Sequence, residues 1–234
     1  MMKDPSRTST AHLRGGLVLD FIFAIFAFAL PAITLLSLTY PPPIISQGQA
    51  QRIFYIHAPI AWIALYAPYI SCICAILFLV RRDERFDFWS VAANRVALLF
   101  GLAVIISGPL WASTEWGTYW DWSDYRLMSF FVLVLSLFGY FYARSVTDHP
   151  DRRAVLGAIM SIIAAISAGV TWFAIRLVVP EKHPQPVLGT MAPEIRTTFW
   201  LAVVAYHLIF LLFMRVAIRR EYLRATTERL QFRG

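Results

Sequence analysis

The chain has 234 residues, of which 59% are hydrophobic and 15% charged, where soluble globular domains average roughly 45–50% and 25%. That composition excludes a soluble enzyme or binding module and indicates a polytopic membrane protein. The net charge of +7 does not indicate a nucleic-acid partner, because the basic residues are spread over short connectors between apolar runs and form no continuous patch.

Residues 1–16 are polar and basic. Residues 17–40 form the first apolar run, long enough for the roughly 20 residues a spanning helix needs. Pro31 is expected to kink it, and the three prolines at 41–43 to end it. Residues 53–80 are the second span. Pro59 is favourable in a first helical turn and disruptive further in. Either the helix begins near Pro59, with 53–58 folded back at the surface, or it begins at Ile53 and bends; His57 lies at the outer end in both cases. The connector RRDERFDFWS precedes a third span at 91–112, loosened near its end by Gly108 and Pro109. An aromatic loop at 113–126 leads to a fourth span at 127–143. A charged turn leads to a fifth at 154–179, rich in the small residues that let helices approach closely in lipid. A proline-rich connector follows, with Pro193 and Glu194 as the first turn of a sixth span at 197–218, and the tail is a basic, helix-prone cap. The expected fold class is therefore an all-α membrane protein, a single six-helix bundle over 1–234.

Orientation follows from the cations. Sixteen of the twenty-one lysines and arginines fall in the two terminal segments and the connectors 81–95 and 144–153. Cytoplasmic loops carry the excess of Lys and Arg, so both termini are expected in the cytoplasm. His57, the aromatic loop and the 180–196 connector then share the outer face. Cys72 and Cys74, two apart within an apolar run, are read as small core residues, since they form neither a disulfide framework nor the C-x-x-C-H signature.

The stretch WASTEWGTYWDWSDYR holds four of the eight tryptophans, Trp111, Trp116, Trp120 and Trp122, together with Tyr119 and Tyr125. Aromatic rings at a lipid–water boundary often only anchor a helix. Four indoles in twelve residues point instead to a flat platform for a large planar partner. His57 and His183 reach the same face from separate connectors, and neutral imidazole on either side of a porphyrin would give two axial bonds to iron; the plainer alternative is an ordinary loop histidine. His207, mid-way along the sixth span, either serves as a ligand or packs neutral between helices, and its depth favours packing. Arg52, Arg126 and Arg196 are candidates for pairing with the two carboxylates of a haem, or else snorkel to the interface.

The combination WGTYWDWSDYRLMS, RIFYIHAP and KHPQ resembles the tryptophan-rich haem-handling family, most closely its cytochrome c maturation protein C branch. The likeness spans all six apolar runs, about residues 17–220. Tyr119 stands where that family has tryptophan, and one extra residue separates Trp122 from Arg126, so Asp121 or Asp124 takes its acidic position. His183 is followed by Pro184, with Gln185 one place on. The resemblance implies haem b bound in the outer vestibule by His57 and His183, against Trp116, Tyr119, Trp120 and Trp122. It implies delivery to a periplasmic haem chaperone, the maturation protein E. Further implied partners are the ATP-binding cassette pair, maturation proteins A and B, and the small protein D. The expected place is the bacterial inner membrane with its lipid, and no catalytic residues are expected. A haem lyase acting on apocytochrome, or a permease subunit, is the alternative.

Overall fold

The computed structural model describes residues 18–25, 28–45, 47–178 and 190–231. His12 and His183 lie outside the described residues. Among the described residues six helices are long and apolar enough to cross a membrane, and there is no strand, only an isolated bridge between Ile44 and Gly48. They are α1, the span Val18–Thr39; α2, Phe54–Arg81; α3, Glu84–Trp116; α4, Tyr125–Ser145; α5, Pro150–Phe173; and α6, Pro193–Gln231. A 3-10 turn, Gln49–Ile53, feeds α2, and a π-helical turn, Ala174–Val178, continues α5.

Several ends differ from the expected ones, each for a local reason. Pro31 falls in the first turn of the helical stretch Ala29–Thr39, where a missing N–H costs nothing. Helix α2 begins at Phe54 and carries Pro59 and Pro68 inside it, so residues 54–58 are helical and do not fold back. The charged connector before the third span is almost wholly helix. Arg82 ends α2 in the left-handed region at φ 55°, its N–H reaching Phe78 O at 2.8 Å. The side chain of Asp83 then accepts from the N–H of Arg85 at 3.0 Å and starts α3, with Glu84 and Asp87 in the first turn. Acidic side chains there meet the positive end of the helix dipole. At its far end α3 runs through Pro109 to Trp116 and stops at Gly117, φ 71°. Trp111 and Trp116 are therefore helix residues, and the non-helical loop shrinks to 117–124. The basic tail is not a separate cap, because α6 continues unbroken to Gln231.

The core centres on α2 and α3, the most extensively packed pair, and α4 and α5 form a second close pair against them. Ile63, Ala64, Ala67, Ala92, Ala97, Leu133, Leu137, Ala164 and Ala168 fill the centre and are essentially fully buried. Both α5 and α6 pack along α2. The outward faces are apolar, with Ile73, Ile106, Ile166 and Val204 all more than half exposed. A surface of this kind is stable only against lipid tails.

At the end where α1 begins and α6 ends, ion pairs tie the helices together. Arg144 grips Asp87 with both nitrogens, at 2.7 and 2.8 Å, and Arg95 reaches Glu221 at 2.6 Å. Arg215 and Arg219 pair with Asp20. Deeper in the bundle, Ser71, Ser90 and Ser161 hydrogen-bond in a triangle of 2.9–3.1 Å, and the Asn94 amide donates to Ser161 at 2.8 Å. Cys72 and Cys74 are free thiols, the second buried.

Candidate functional site

The opposite end of the bundle contains a cavity of about 630 Å³, within the range of organic-ligand sites. Helix α2 forms its longest wall, from His57 past Ala61 and Leu65 to Tyr69, roughly 18 Å at 1.5 Å rise per residue. Val104, Gly108, Trp111 and Trp116 come from α3, Leu127 and Phe130 from α4, Ala168 and Trp172 from α5, and Ile195 and Phe199 from α6. Polar or charged side chains of the lining are few among the described residues: Gln47, Gln51, His57, Arg126 and Arg176, with the tryptophan indoles and, further along α2, the phenols of Tyr66 and Tyr69.

His57 is half-buried one turn into α2. Its ring lies edge-on to Trp111, centroids 5.8 Å apart at 74°. Its Nδ1 is 2.9 Å from the hydroxyl of Ser107 on α3. Below it, Trp111 packs with Phe54, Tyr55, Ile195, Phe199 and Val203 in a satellite core that holds the start of α2 against α3 and α6.

The tryptophans do not form a flat bed. Trp111 is buried in the wall, 7% exposed. Trp120 and Trp122 meet at 67°, and each stands nearly perpendicular to Phe131 of α4. Rings with negative faces and positive edges prefer such T-shaped contacts to a coplanar sheet. Of the loop aromatics expected around a ligand, Trp116 and Trp120 line the cavity; Trp122 and Tyr119 are 70% and 65% exposed and do not.

The loop is held by Asp124. Its carboxylate caps α4, accepting from the Arg126 N–H at 2.9 Å, and takes two bonds from the Arg126 guanidinium, at 3.0 and 2.5 Å. Both side chains are under a tenth exposed. Burial by itself would raise the Asp124 carboxyl, but the bonds from Arg126 and the N–H of Leu127 outweigh it and hold the group below the usual carboxylate range. Asp121 instead folds onto Ser123. Of the two acids, Asp124 is the one built into the loop.

The expected arginines separate. Arg126 lines the cavity and lies over Trp116 at 5.7 Å, but its charge is balanced by Asp124. Arg52 does not line it: its Nη1 donates to Ser37 O at 2.6 Å and its Nε to Gln49 Oε1 at 2.8 Å, tying α1 to the 3-10 turn. Arg196 is exposed and away from the cavity wall. Sequence reasoning passed over Arg176, which lies over Trp172 at 5.3 Å at the rim and has no acidic partner among the described residues. The signal was available, because Trp172 and Arg176 are four residues apart and so share a helix face. His207 does not reach the cavity. Its Nδ1 donates to Val203 O at 2.7 Å, and its ring stacks on Tyr66 at 5.6 Å, so it packs between helices as its depth implied.

Two polar atoms of the lining have no hydrogen-bond partner among the described residues, Gln51 Oε1 and Trp120 Nε1. An acceptor and a donor left idle in an apolar pocket cost free energy unless a ligand or water meets them.

Comparison with known proteins fixes the relationship. The family model described as "Heme exporter protein C" matches residues 5–233. The chain belongs to the heme exporter protein C family. It is 28% identical to heme exporter protein C of Bradyrhizobium diazoefficiens over 204 residues, 86% of this chain and 77% of that one. It is 27% identical to the protein of the same name from Paracoccus denitrificans, over 75% of this chain and 74% of that one. A putative cytochrome c biosynthesis ccmC-like mitochondrial protein of Marchantia polymorpha is 35% identical over 104 residues, 44% of this chain and 45% of that one. As a heme exporter protein C family member with six spanning-type helices, the chain is a multi-pass membrane protein of cytochrome c biogenesis.

Proposed function

We propose that this chain holds haem b at the periplasmic face of the bacterial inner membrane and hands it to a haem chaperone, the maturation protein E, during cytochrome c maturation. The observation that carries this reading is His57 on the wall of a large apolar cavity whose mouth is lined by indoles and arginines. The residues fit such a cargo. The apolar body suits a porphyrin, an imidazole is a good iron ligand, and Arg176 offers a cation for a carboxylate where Arg126 is already neutralised. Haem would supply an iron open to imidazole ligands. His57 is one ligand in this reading, and His183, carried over from the family resemblance, is the second.

The chain's own work is then to bind, orient and release. Trp122 and Tyr119, exposed outside the cavity, are the face presented to the chaperone. The sequence contains no glycine-rich phosphate loop, so any ATP hydrolysis belongs to the cassette partners A and B, with D as a further subunit. The distribution of Lys and Arg supports cytoplasmic termini and a periplasmic cavity.

The test is haem content after purification. His57→Ala and His183→Ala should each lose most of the Soret absorbance, while His207→Ala should keep it. Full haem retention in His57→Ala would reject the site. Transfer to the purified chaperone without apocytochrome is expected; transfer only when apocytochrome is supplied would favour the haem-lyase alternative.

A further inference from the structure

We propose that Ser107 is the positioning residue that fixes the tautomer and ring plane of His57, leaving Nε2 as the nitrogen with a lone pair. This rests on the reading of His57 as an iron ligand and goes beyond it by naming the residue that prepares it. The Ser107 hydroxyl lies 2.9 Å from His57 Nδ1 and donates to Ala103 O, one turn back in α3, at 2.8 Å. A carbonyl oxygen only accepts, and a hydroxyl has a single proton. With that proton committed to Ala103, the hydroxyl meets Nδ1 as an acceptor, so Nδ1 must carry the hydrogen. In a neutral imidazole the lone pair is then on Nε2, the form a metal ligand needs.

The neighbouring residues hold the same ring in place. Gly108 follows Ser107, and a Cβ there would come within 3.3 Å of His57 Cε1, so the absence of a side chain makes room for the imidazole edge. Trp111, one turn further along α3, closes another side edge-on. Three positions on one helix thus set a ring belonging to another, and α2 and α3 are the most extensively packed pair in the bundle. The acceptor at Nδ1 also makes the ring a better electron donor through Nε2. Bound iron should accordingly be stabilised in its ferric state.

The experiment uses the full-length protein in detergent with added haem and compares Ser107→Ala, Ser107→Cys and Ser107→Thr, with His57→Ala as control. Ser107→Ala should weaken haem affinity about 10- to 100-fold and raise the iron midpoint potential, with thermal unfolding of the haem-free protein unchanged. Ser107→Cys fills the space with a poor acceptor and should behave like Ser107→Ala. Ser107→Thr keeps the hydroxyl and should restore both affinity and potential. Wild-type affinity and potential in Ser107→Ala and Ser107→Cys, with haem lost in His57→Ala, would overturn the role of Ser107 and leave the haem site standing. Haem retained in His57→Ala would remove the site itself.

Discussion

At the residue scale, one charge at the cavity mouth, Arg126, is balanced by a buried carboxylate, and another, Arg176, has no acidic partner among the described residues. Arg126 was legible from the sequence as a cation beside the aromatic loop; that Asp124 neutralises it was not, since the pairing depends on both side chains being buried against the same helix start. A charged hydrogen bond contributes roughly 1.5–3 kcal/mol, about a tenfold or greater change in affinity. Arg176→Gln should therefore weaken haem binding by about tenfold, while Arg196→Gln, away from the cavity wall, should leave it within about twofold. Titration of haem into each purified variant checks both. Equal effects at the two positions would mean that the exposed arginines act only through general attraction. His57 could be found from sequence because it lies near an apolar run's start on the face shared with the indoles; Ser107 could not, since nothing in its own neighbourhood marks it until α2 and α3 are set side by side.

At the element scale, helix ends carry most of the differences from expectation. The charged segment 84–90 looks like a connector by polarity, yet it is helix, and the tail expected to be helix-prone runs on unbroken from the sixth span to Gln231. Asp83 followed by Glu84 and Asp87 is a start signal that hydropathy alone overlooks. The opposite end of α3 depends on Gly117, whose φ of 71° belongs to the left-handed region. A Cβ there would touch nothing within 4 Å, so the cost of substitution is purely conformational. Gly117→Ala should destabilise the loop by about 1 kcal/mol, and Gly117→Asn by less, because asparagine tolerates this conformation. Thermal unfolding of the two variants ranks them, and an equal loss would point to crowding instead. Among the ion pairs, Asp87→Ala leaves the Arg144 guanidinium buried without its carboxylate. The expected loss is on the order of 3–5 kcal/mol, read as a clear fall in Tm; a variant as stable as wild type would show that Arg144 finds another partner.

At the scale of the whole molecule, the six-span architecture was legible because runs of twenty or more apolar residues have few other uses. The site was only half legible. Hydropathy and charge assign His57, the loop and the 180–196 connector to one face, and the structure adds what periodicity does not contain: a cavity enclosed by five helices, an indole cluster set edge-on and not flat, and Arg176 at its rim. The cavity and the ion-paired helix ends, where Asp20, Asp87, Arg144 and Glu221 meet, occupy opposite ends of the bundle. The most direct measurement of the central claim is low-temperature electron paramagnetic resonance of the ferric, haem-loaded protein. The account predicts a low-spin signal typical of two imidazole ligands, lost in His57→Ala and in His183→Ala alike. An unchanged low-spin signal in His57→Ala would contradict it.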